Sequence, residues 1–323
     1  MAPYSGTPYS LTVRQSKWLM SHSLSGGHMP QPQAPAPAIV PREKMDFGLN
    51  GDIPRFWLDN DPFKTRFFDA LSTLFPVGER FFITCVRDFK EQITDAKLQQ
   101  DIKDFTRQEA QHSMVHTLYN NRLKAQGVNV DRILQRQEHR LFGVLRKHTS
   151  RQFTLGITAA AEHVTAIMAD CFVERPDIMA GADTRIRALY VWHAMEEMEH
   201  KGVAFDVLRD HAHGSYSNRV RSMLLVTCLF PYHTFRIMAH MFQVDGFSRA
   251  QRTKLWLKGL WWLYKPGGVF APLLGKYFAY LKPNFHPWQD PVVPSYEPWL
   301  RSLHDSGDPI EAGNQLYSQV ARP

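Results

Sequence analysis

The chain has 323 residues, of which 44% are hydrophobic, and its 38 Lys and Arg against 31 Asp and Glu give a formal net charge of +7. This composition is typical of a globular protein with a sizeable core, and it excludes an intrinsically disordered chain. No Lys/Arg-rich block interleaved with aromatic residues is present, so we expect no nucleic-acid partner.

The N-terminal residues 1–42 are predicted to be a flexible tail. Residues 29–41 are rich in proline, which lacks the backbone N–H that helices and sheets need. Ordered structure is therefore expected to begin close to Asp46.

The expected localisation is cytoplasmic. The three cysteines, Cys85, Cys171 and Cys228, are far apart and form no metal-binding or disulfide pattern, which favours a reducing compartment. No apolar run approaches the roughly 18 residues of a membrane span, and the N-terminus lacks the apolar stretch of a secretory signal.

After the tail, the hydrophobic pattern is almost entirely helical, and we find no strand pattern of useful length. Helix-capping signals divide residues 43–215 into five segments. The predicted segments are Asp61 to about Gln92 with a bend at Pro76, Asp95 to Gly127, Asp131 to His148, Ser150 to just before Pro176, and Asp183 to about Gly214. Residues 216–323 are predicted as further helices followed by an extended tail that packs on this bundle.

Two of these helices carry the motif Glu-x-x-His, as Glu109-x-x-His112 and Glu197-x-x-His200. Positions i and i+3 lie one turn apart on the same face of a helix, so each motif directs a carboxylate and an imidazole to one point. These groups together suit a first-row transition metal, and two such motifs predict two metals.

Two further helices supply single glutamates, Glu79 and Glu162. In helical projection, all four glutamates lie within stripes that are mostly apolar, so they are expected to face the core. Four buried carboxylates would be very costly without cations, and two divalent ions would balance their charge. One Glu on each of two helices and Glu-x-x-His on two others is the arrangement of ferritin-like di-metal proteins, which predicts an all-α, ferritin-like four-helix bundle.

Neighbouring polar residues receive different roles from the same projection. His193 shares the face of Glu197 and His200 and is predicted to be a seventh ligand. Glu196 and Glu199 point away from that face, so they are expected at the surface or in support of the ligands. His116, one turn beyond His112, is predicted to support a ligand rather than bind metal.

The motifs resemble those of two protein groups. The metal pattern, with its additional histidine, resembles the di-iron N-oxygenases of which p-aminobenzoate N-oxygenase is the archetype. The wording of the motifs, such as Phe75-Pro-x-Gly-Glu-Arg-Phe-Phe82 and Trp192-His-x-x-Glu-Glu-x-Glu-His-Lys201, is more similar to a bacterial family described as predicted metal-dependent hydrolases. The resemblance covers about residues 46–280 and implies as metal ligands Glu79, Glu109, His112, Glu162, His193, Glu197 and His200.

From these features we predict a non-haem di-iron enzyme that uses dioxygen to oxidise a small apolar or aromatic substrate. The metals are expected to be two iron ions, with manganese or zinc as alternatives, and electrons would come from a separate donor. The alternatives are a two-metal hydrolase and a metal-binding protein without catalysis. A homodimer is compatible with the sequence.

The aromatic segment Leu255–Tyr264 is flanked by lysines and could in principle lie on a membrane surface. Apolar residues occupy nearly every position from Leu260 to Tyr264, which leaves no distinct polar face. We therefore expect its tryptophans to pack against the bundle as a cap, without stable membrane attachment.

Overall fold

Helices account for nearly all regular structure in residues 36–320, the part of the chain that the computed structural model describes. This confirms the predicted all-α fold, and within these residues the β-type pairing is limited to one isolated bridge between Leu58 and Ala182. The α-helices are α1 (Pro62–Arg87), α2 (Ala96–Ala125), α3 (Val130–Glu138), α4 (Arg146–His148), α5 (Arg151–Glu174), α6 (Thr184–His200), α7 (Val203–Asp206), α8 (Tyr216–Val244), α9 (Arg249–Tyr264), α10 (Leu274–Tyr280), α11 (Tyr296–Ser306) and α12 (Pro309–Val320).

Helix starts follow the capping residues in the sequence. A side-chain oxygen at each of these positions accepts a hydrogen bond from a backbone N–H in the first turn, which would otherwise lack a partner. The caps are Asp61 with Phe63 and Lys64, Asp95 with Leu98, Ser150 with Phe153, and Asp183 with Arg185.

The four helices that carry the predicted ligands pack together. Helix α1 lies along α2 and α5 along α6, and the pairs meet where α1 contacts α5 and α2 contacts α6. The chain crosses from α2 to α5 through α3, a wider π-helical segment (His139–Leu145) and α4. This order and pairing are compatible with the ferritin-like topology.

The predicted helix from Asp183 to Gly214 is interrupted. Helix α6 ends at His200, and α7 follows after Lys201 and Gly202 before a π-helical segment, Val207–His211. A Cβ atom on Gly202 would lie 2.5 Å from the indole nitrogen of Trp288, so glycine allows the C-terminal part of the chain to approach closely here.

The C-terminal residues differ from the predicted extended tail, because α11 and α12 form within it. The proline content suggested extended chain, but Pro309 occupies the first position of α12, where a missing N–H has no cost. Asp308 Oδ1 accepts a 2.7 Å hydrogen bond from the Ile310 N–H and so helps to start α12, which packs along α6.

Helix α9 packs only part of its aromatic face against the bundle. Trp256 and Trp262 stack edge-on against Phe63 and Phe67 of α1, with ring centroids 5.6 and 6.2 Å apart. Trp261 is 65% exposed, which differs from the expectation that the tryptophans would pack inward. The absence of stable membrane attachment therefore stays a prediction.

Helix α5 is the one helix in residues 36–320 that is long and apolar enough to span a membrane, by length and composition alone. The sequence pattern had indicated no such run. Most of α5 is buried against other helices, as expected of a core helix in a folded bundle. Cys85 and Cys171 are buried free thiols, whereas Cys228 is exposed.

Candidate metal centre

The predicted ligands converge from four helices into one buried region. Helix α1 carries Glu79, α2 carries the first Glu-x-x-His motif, α5 carries Glu162, and α6 carries the remaining three residues. Each is between 0 and 5% exposed; the set is Glu79, Glu109, His112, Glu162, His193, Glu197 and His200.

The first group of potential donors consists of both Glu-x-x-His motifs. Glu109, His112, Glu197 and His200 each offer one atom, and these four atoms lie within 4.8 Å of one another. His200 Nε2 is 3.4 Å from Glu109 Oε1, and His112 Nδ1 is 3.9 Å from Glu197 Oε1. A single ion could contact all four.

The second group lies beside the first and contains Glu79, His116 and His193. His193 Nε2 is 3.8 Å from Glu79 Oε1 and 2.9 Å from Glu197 Oε1. Glu197 therefore borders both groups, which places two candidate positions next to each other.

Glu162 joins the region through His200 rather than through either group. Its Oε2 accepts a 3.0 Å hydrogen bond from His200 Nδ1. Its other oxygen, Oε1, is buried without a hydrogen-bond partner.

Several buried polar atoms of this region have no hydrogen-bond partner within the described residues. They are Glu79 Oε1, both oxygens of Glu109, Glu162 Oε1, His112 Nδ1 and His200 Nε2. Buried polar atoms are normally satisfied, and each exception costs roughly 1–3 kcal/mol. All six are carboxylate oxygens or ring nitrogens, which are the donor types that bind transition metals, so the residues fit a metal centre.

Burial dominates the electrostatics of the carboxylates. Burial raises the pKa of Glu79 and Glu109 well above the usual range, and the charges of neighbouring glutamates raise both further. Burial also raises the pKa of Glu162 to about 7, although the charge of His200 opposes it. Without cations, this region would hold protons in place of metal.

The histidines divide by their neighbours. Burial, followed by the charge of His193, lowers the pKa of His112 and His116 well below the usual range. For His200, burial is outweighed by the charge and hydrogen bond of Glu162, which raise its pKa to about 9. Neutral His112 is ready to offer a lone pair at Nδ1.

Of the two expectations for Glu196 and Glu199, a position at the surface is wrong, because both are buried beside the site. Glu196 Oε2 accepts a 3.0 Å hydrogen bond from His112 Nε2, and its Oε1 accepts one from Trp192 Nε1. This bond fixes the His112 tautomer, with the proton on Nε2 and the lone pair on Nδ1. Glu196 thus orients a candidate ligand, which is the supporting role named as the alternative in the sequence analysis.

Arg42 holds both of these glutamates, although the sequence placed it in the flexible tail. Its Nη1 lies 3.1 Å from Glu196 Oε1, and its Nη2 lies 2.6 Å from Glu199 Oε1. The N–H of Val40 also donates to Glu199, at 3.1 Å. These contacts hold Val40 and Arg42 against the bundle, which the prediction of a flexible tail did not anticipate; residues 1–35 of that tail lie outside the described residues.

Glu199 has two further partners that the sequence reasoning missed. Gln108 Nε2 and the Tyr296 hydroxyl each donate to it at 2.6 Å. Gln108 directly precedes Glu109, a predicted ligand, and this position could have indicated that Gln108 lies at the site. No local pattern could have indicated Tyr296, which is 97 positions from Glu199.

His116 contacts His193 rather than an open position. His116 Nε2 lies 2.7 Å from His193 Nδ1, and His116 Nδ1 lies 2.9 Å from Ser72 Oγ. Both ring nitrogens therefore have partners already. The contact leaves His193 Nε2 facing Glu79 and Glu197, which is compatible with the predicted supporting role of His116.

Pro76 lies three residues before Glu79 and lacks the N–H that would bond to the Ser72 carbonyl. Asn120 Nδ2 donates to that carbonyl instead, at 3.0 Å. A residue of α2 thus compensates for the proline in α1 and ties the two helices together beside the site.

A cavity of about 1010 Å³ borders the site on one side. Glu79 and Thr165 line it, and Thr165 Oγ1 donates a 2.5 Å hydrogen bond to Glu197. The small residues of α5 around Glu162 differ in their relation to this cavity. Ala161 does line the cavity, whereas Thr158, Ala166 and Ala169 are buried in helix contacts away from it.

Comparison with known proteins gives one family. The family model described as predicted metal-dependent hydrolase matches residues 41–290, well over half of the chain. This range includes every residue of the site named above except Val40 and Tyr296. No curated protein and no solved structure matches. The extent of the family match shows that the chain belongs to the predicted metal-dependent hydrolase family.

Proposed function

We propose that the protein is a metal-dependent enzyme that holds two divalent ions between α1, α2, α5 and α6. The observation that supports this most is a cluster of six buried donor atoms without partners; all of their residues except Glu162 belong to the two adjoining donor groups. The proposed ligands are Glu79, Glu109, His112, Glu162, His193, Glu197 and His200.

Charge balance supports two ions rather than one. Four glutamates contribute four negative charges when deprotonated, and two divalent ions would neutralise them, with the histidines bound as neutral imidazoles. Glu197 borders both donor groups, so its carboxylate would be available to either ion.

The family description supports hydrolysis, which the sequence analysis ranked as the alternative to oxidation. Bound metals would lower the pKa of a water molecule and polarise the substrate bond, or, as iron, exchange electrons with dioxygen. In either reaction, Thr165 would hold Glu197 in position, and the apolar wall of the cavity would keep bulk water away.

Oxidation by dioxygen is the second candidate, and the composition of the site favours it. The proposed ligands are four glutamates and three histidines, all on helices, with no aspartate among them. Carboxylate and imidazole ligands inside a helical bundle are characteristic of di-iron proteins. The resemblance of the motifs to the di-iron N-oxygenases supports the same candidate.

Metal analysis tests the shared part of the proposal. The protein as purified, or reloaded after chelation, should bind about two ions per chain. Glu109→Gln should lose at least one of them, whereas Glu91→Gln, an exposed glutamate just before α2, should bind as wild type does. Unchanged metal content in both Glu109→Gln and Glu197→Gln would refute the site.

Activity assays separate the two reactions. The zinc-loaded protein would be tested anaerobically on a panel of esters and amides, and the iron-loaded protein would be tested for substrate-dependent dioxygen uptake with a chemical reductant. Turnover by the zinc form without dioxygen identifies a hydrolase. Dioxygen uptake coupled to product formation, with no anaerobic turnover, identifies an oxidase or oxygenase.

A further inference from the structure

The cavity beside the site is long and mostly apolar. Along α8 its lining extends from Leu225 to Gln243, which corresponds to about 27 Å at 1.5 Å per residue. Its volume of about 1010 Å³ is at the upper limit of small-molecule pockets. A compact substrate would leave much of this space unfilled.

One end of the cavity is strongly basic. Arg132 and Arg136 lie at this end, four residues apart on α3, and Arg140 follows toward the middle of the cavity, where Arg236 of α8 also lines it. Within residues 36–320, none of these four arginines forms an ion pair. Glu79 is the one acidic residue that lines the cavity, and it belongs to the proposed metal centre.

Two histidines of α8 lie close to these arginines. His233 lies 3.0 Å from an Arg140 nitrogen, and burial together with Arg140 and Arg236 lowers its pKa. Burial together with Arg132 and Arg136 lowers the pKa of His240. Uncompensated positive charge therefore surrounds this end of the cavity.

The proposed metal centre borders the middle of the cavity. Gln137 Nε2 donates a 2.7 Å hydrogen bond to the Leu74 carbonyl. This bond joins α3, which forms part of the cavity wall, to the part of α1 that precedes Glu79. Gln137 is eight residues from Asn129, at the basic end, and eight from Leu145, at the opposite end. A Cβ atom on Gly78, which precedes Glu79, would lie 3.8 Å from Gln137 Nε2, so Glu79 lies beside the middle of the cavity.

The opposite end has no charged residue among those that line it. Its lining consists of aliphatic and aromatic side chains from the π-helical segment, α5 and α8, namely Leu141, Val144, Leu145, Ile157, Leu225 and Val226. The cavity is thus basic at one end, carries the proposed metals at its middle and is apolar at the other end.

We propose that this cavity binds an amphipathic anion with a linear hydrocarbon chain. The anionic head would lie at Arg132 and Arg136, and the chain would run past Glu79 and Thr165 into the apolar end. This inference rests on the proposed function, and it specifies the substrate class: the metals would act on the interior of the chain rather than on its head.

Binding of decanoate, decyl phosphate and decan-1-ol to the full chain tests the inference by isothermal titration calorimetry. We expect both anions to bind at least about tenfold more tightly than the alcohol, because charge-assisted hydrogen bonds to arginine favour them. Comparing the two anions shows whether a carboxylate or a phosphate head is preferred. Hexanoate should bind more weakly than decanoate, since it buries less apolar surface.

Variants locate the head. Arg132→Gln combined with Arg136→Gln should weaken binding of both anions about tenfold and leave the alcohol unchanged. Arg221→Gln combined with Arg249→Gln removes the same charge from exposed positions outside the cavity and should have no effect. All four arginines are exposed, so thermal midpoints should remain close to wild type.

Equal affinity for decanoate and decan-1-ol, or an unchanged decanoate affinity in the Arg132/Arg136 variant, would overturn the inference. The measurements are made on both metal-free and metal-loaded protein. Failure of anion binding in a protein that takes up two ions refutes the substrate class alone. Failure of metal uptake refutes the proposed function instead.

Discussion

Replacing Arg42 by methionine should destabilise the protein strongly, although Arg42 lies outside every helix. Its guanidinium is 8% exposed and pairs with Glu196 and Glu199, whose side chains are fully buried. The variant would leave two buried carboxylates without their cation. Breaking a buried ion pair typically costs about 3–5 kcal/mol.

For Arg42→Met, the structure indicates a loss of stability near the lower limit of this range. Burial, partly opposed by Arg42, raises the pKa of Glu196 to about 8, so protonation of this carboxyl is already favoured near neutral pH and loss of the guanidinium costs less there than beside a permanent charge. Glu199 would keep its hydrogen bonds from Gln108 and Tyr296. We therefore expect a loss of about 3 kcal/mol in the free energy of unfolding.

Urea unfolding of the metal-free protein measures this loss, since bound metal would add its own stabilisation. Arg107→Met removes an exposed pair with Glu43 and is the matched control; its unfolding curve should match that of wild type. Arg42→Met should also weaken metal binding, because Glu196 would hold His112 less firmly. A change below about 1 kcal/mol, typical of surface pairs, would refute the reasoning.

Four further outcomes are expected. Burial raises the pKa of Glu162 to about 7, so protons should compete with metal; the apparent affinity, measured against a chelator, should rise from pH 6 to pH 8, and a flat profile would contradict this. Because the pKa of Glu162 is higher in the folded protein than in the unfolded chain, protonation of Glu162 stabilises the metal-free protein. This stabilisation is complete below pH 4.5 and is lost as the pH rises through about 7. His193→Ala should keep the fold but change the absorption spectrum of the cobalt-substituted protein. His116→Ala should change that spectrum less, because His116 acts through His193. If both variants gave the wild-type spectrum, His193 would be excluded as a ligand. Anionic liposomes should not sediment the protein at physiological salt; strong binding that Trp261→Ala abolishes would show that the exposed ring on α9 attaches to membranes.

Periodicity and capping predicted the part of the fold that local sequence determines. Asp61, Asp95, Ser150 and Asp183 each start a helix because a short polar side chain satisfies the first free N–H groups. The spacing of the Glu-x-x-His motifs then fixes which face each helix turns inward. Convergence of the four helices follows from burying those faces together.

The errors arise where a partner distant in sequence decides the environment. Projection placed Glu196 and Glu199 off the face of α6 that carries Glu197 and His200, but it could not show what covers their own face. Helix α12 packs against α6, and Arg42 reaches Glu196 and Glu199 from the N-terminal side. The segment around Arg42 has no helical or strand period, so its sequence gives no sign of burial.

The π-helical turn between α3 and α4 makes the cavity adjustable by insertion or deletion. Such a turn contains one residue more than the α-helix around it, and here it contributes Leu141, Val144 and Leu145 to the cavity wall. Deleting Gly143 would let this turn rewind as a regular α-helix, which removes the bulge and displaces the side chains that it presents to the cavity. A relative with that deletion would present different side chains to the substrate while all four metal-carrying helices stayed unchanged, so substrate range could diverge in this family without any substitution at the metal centre.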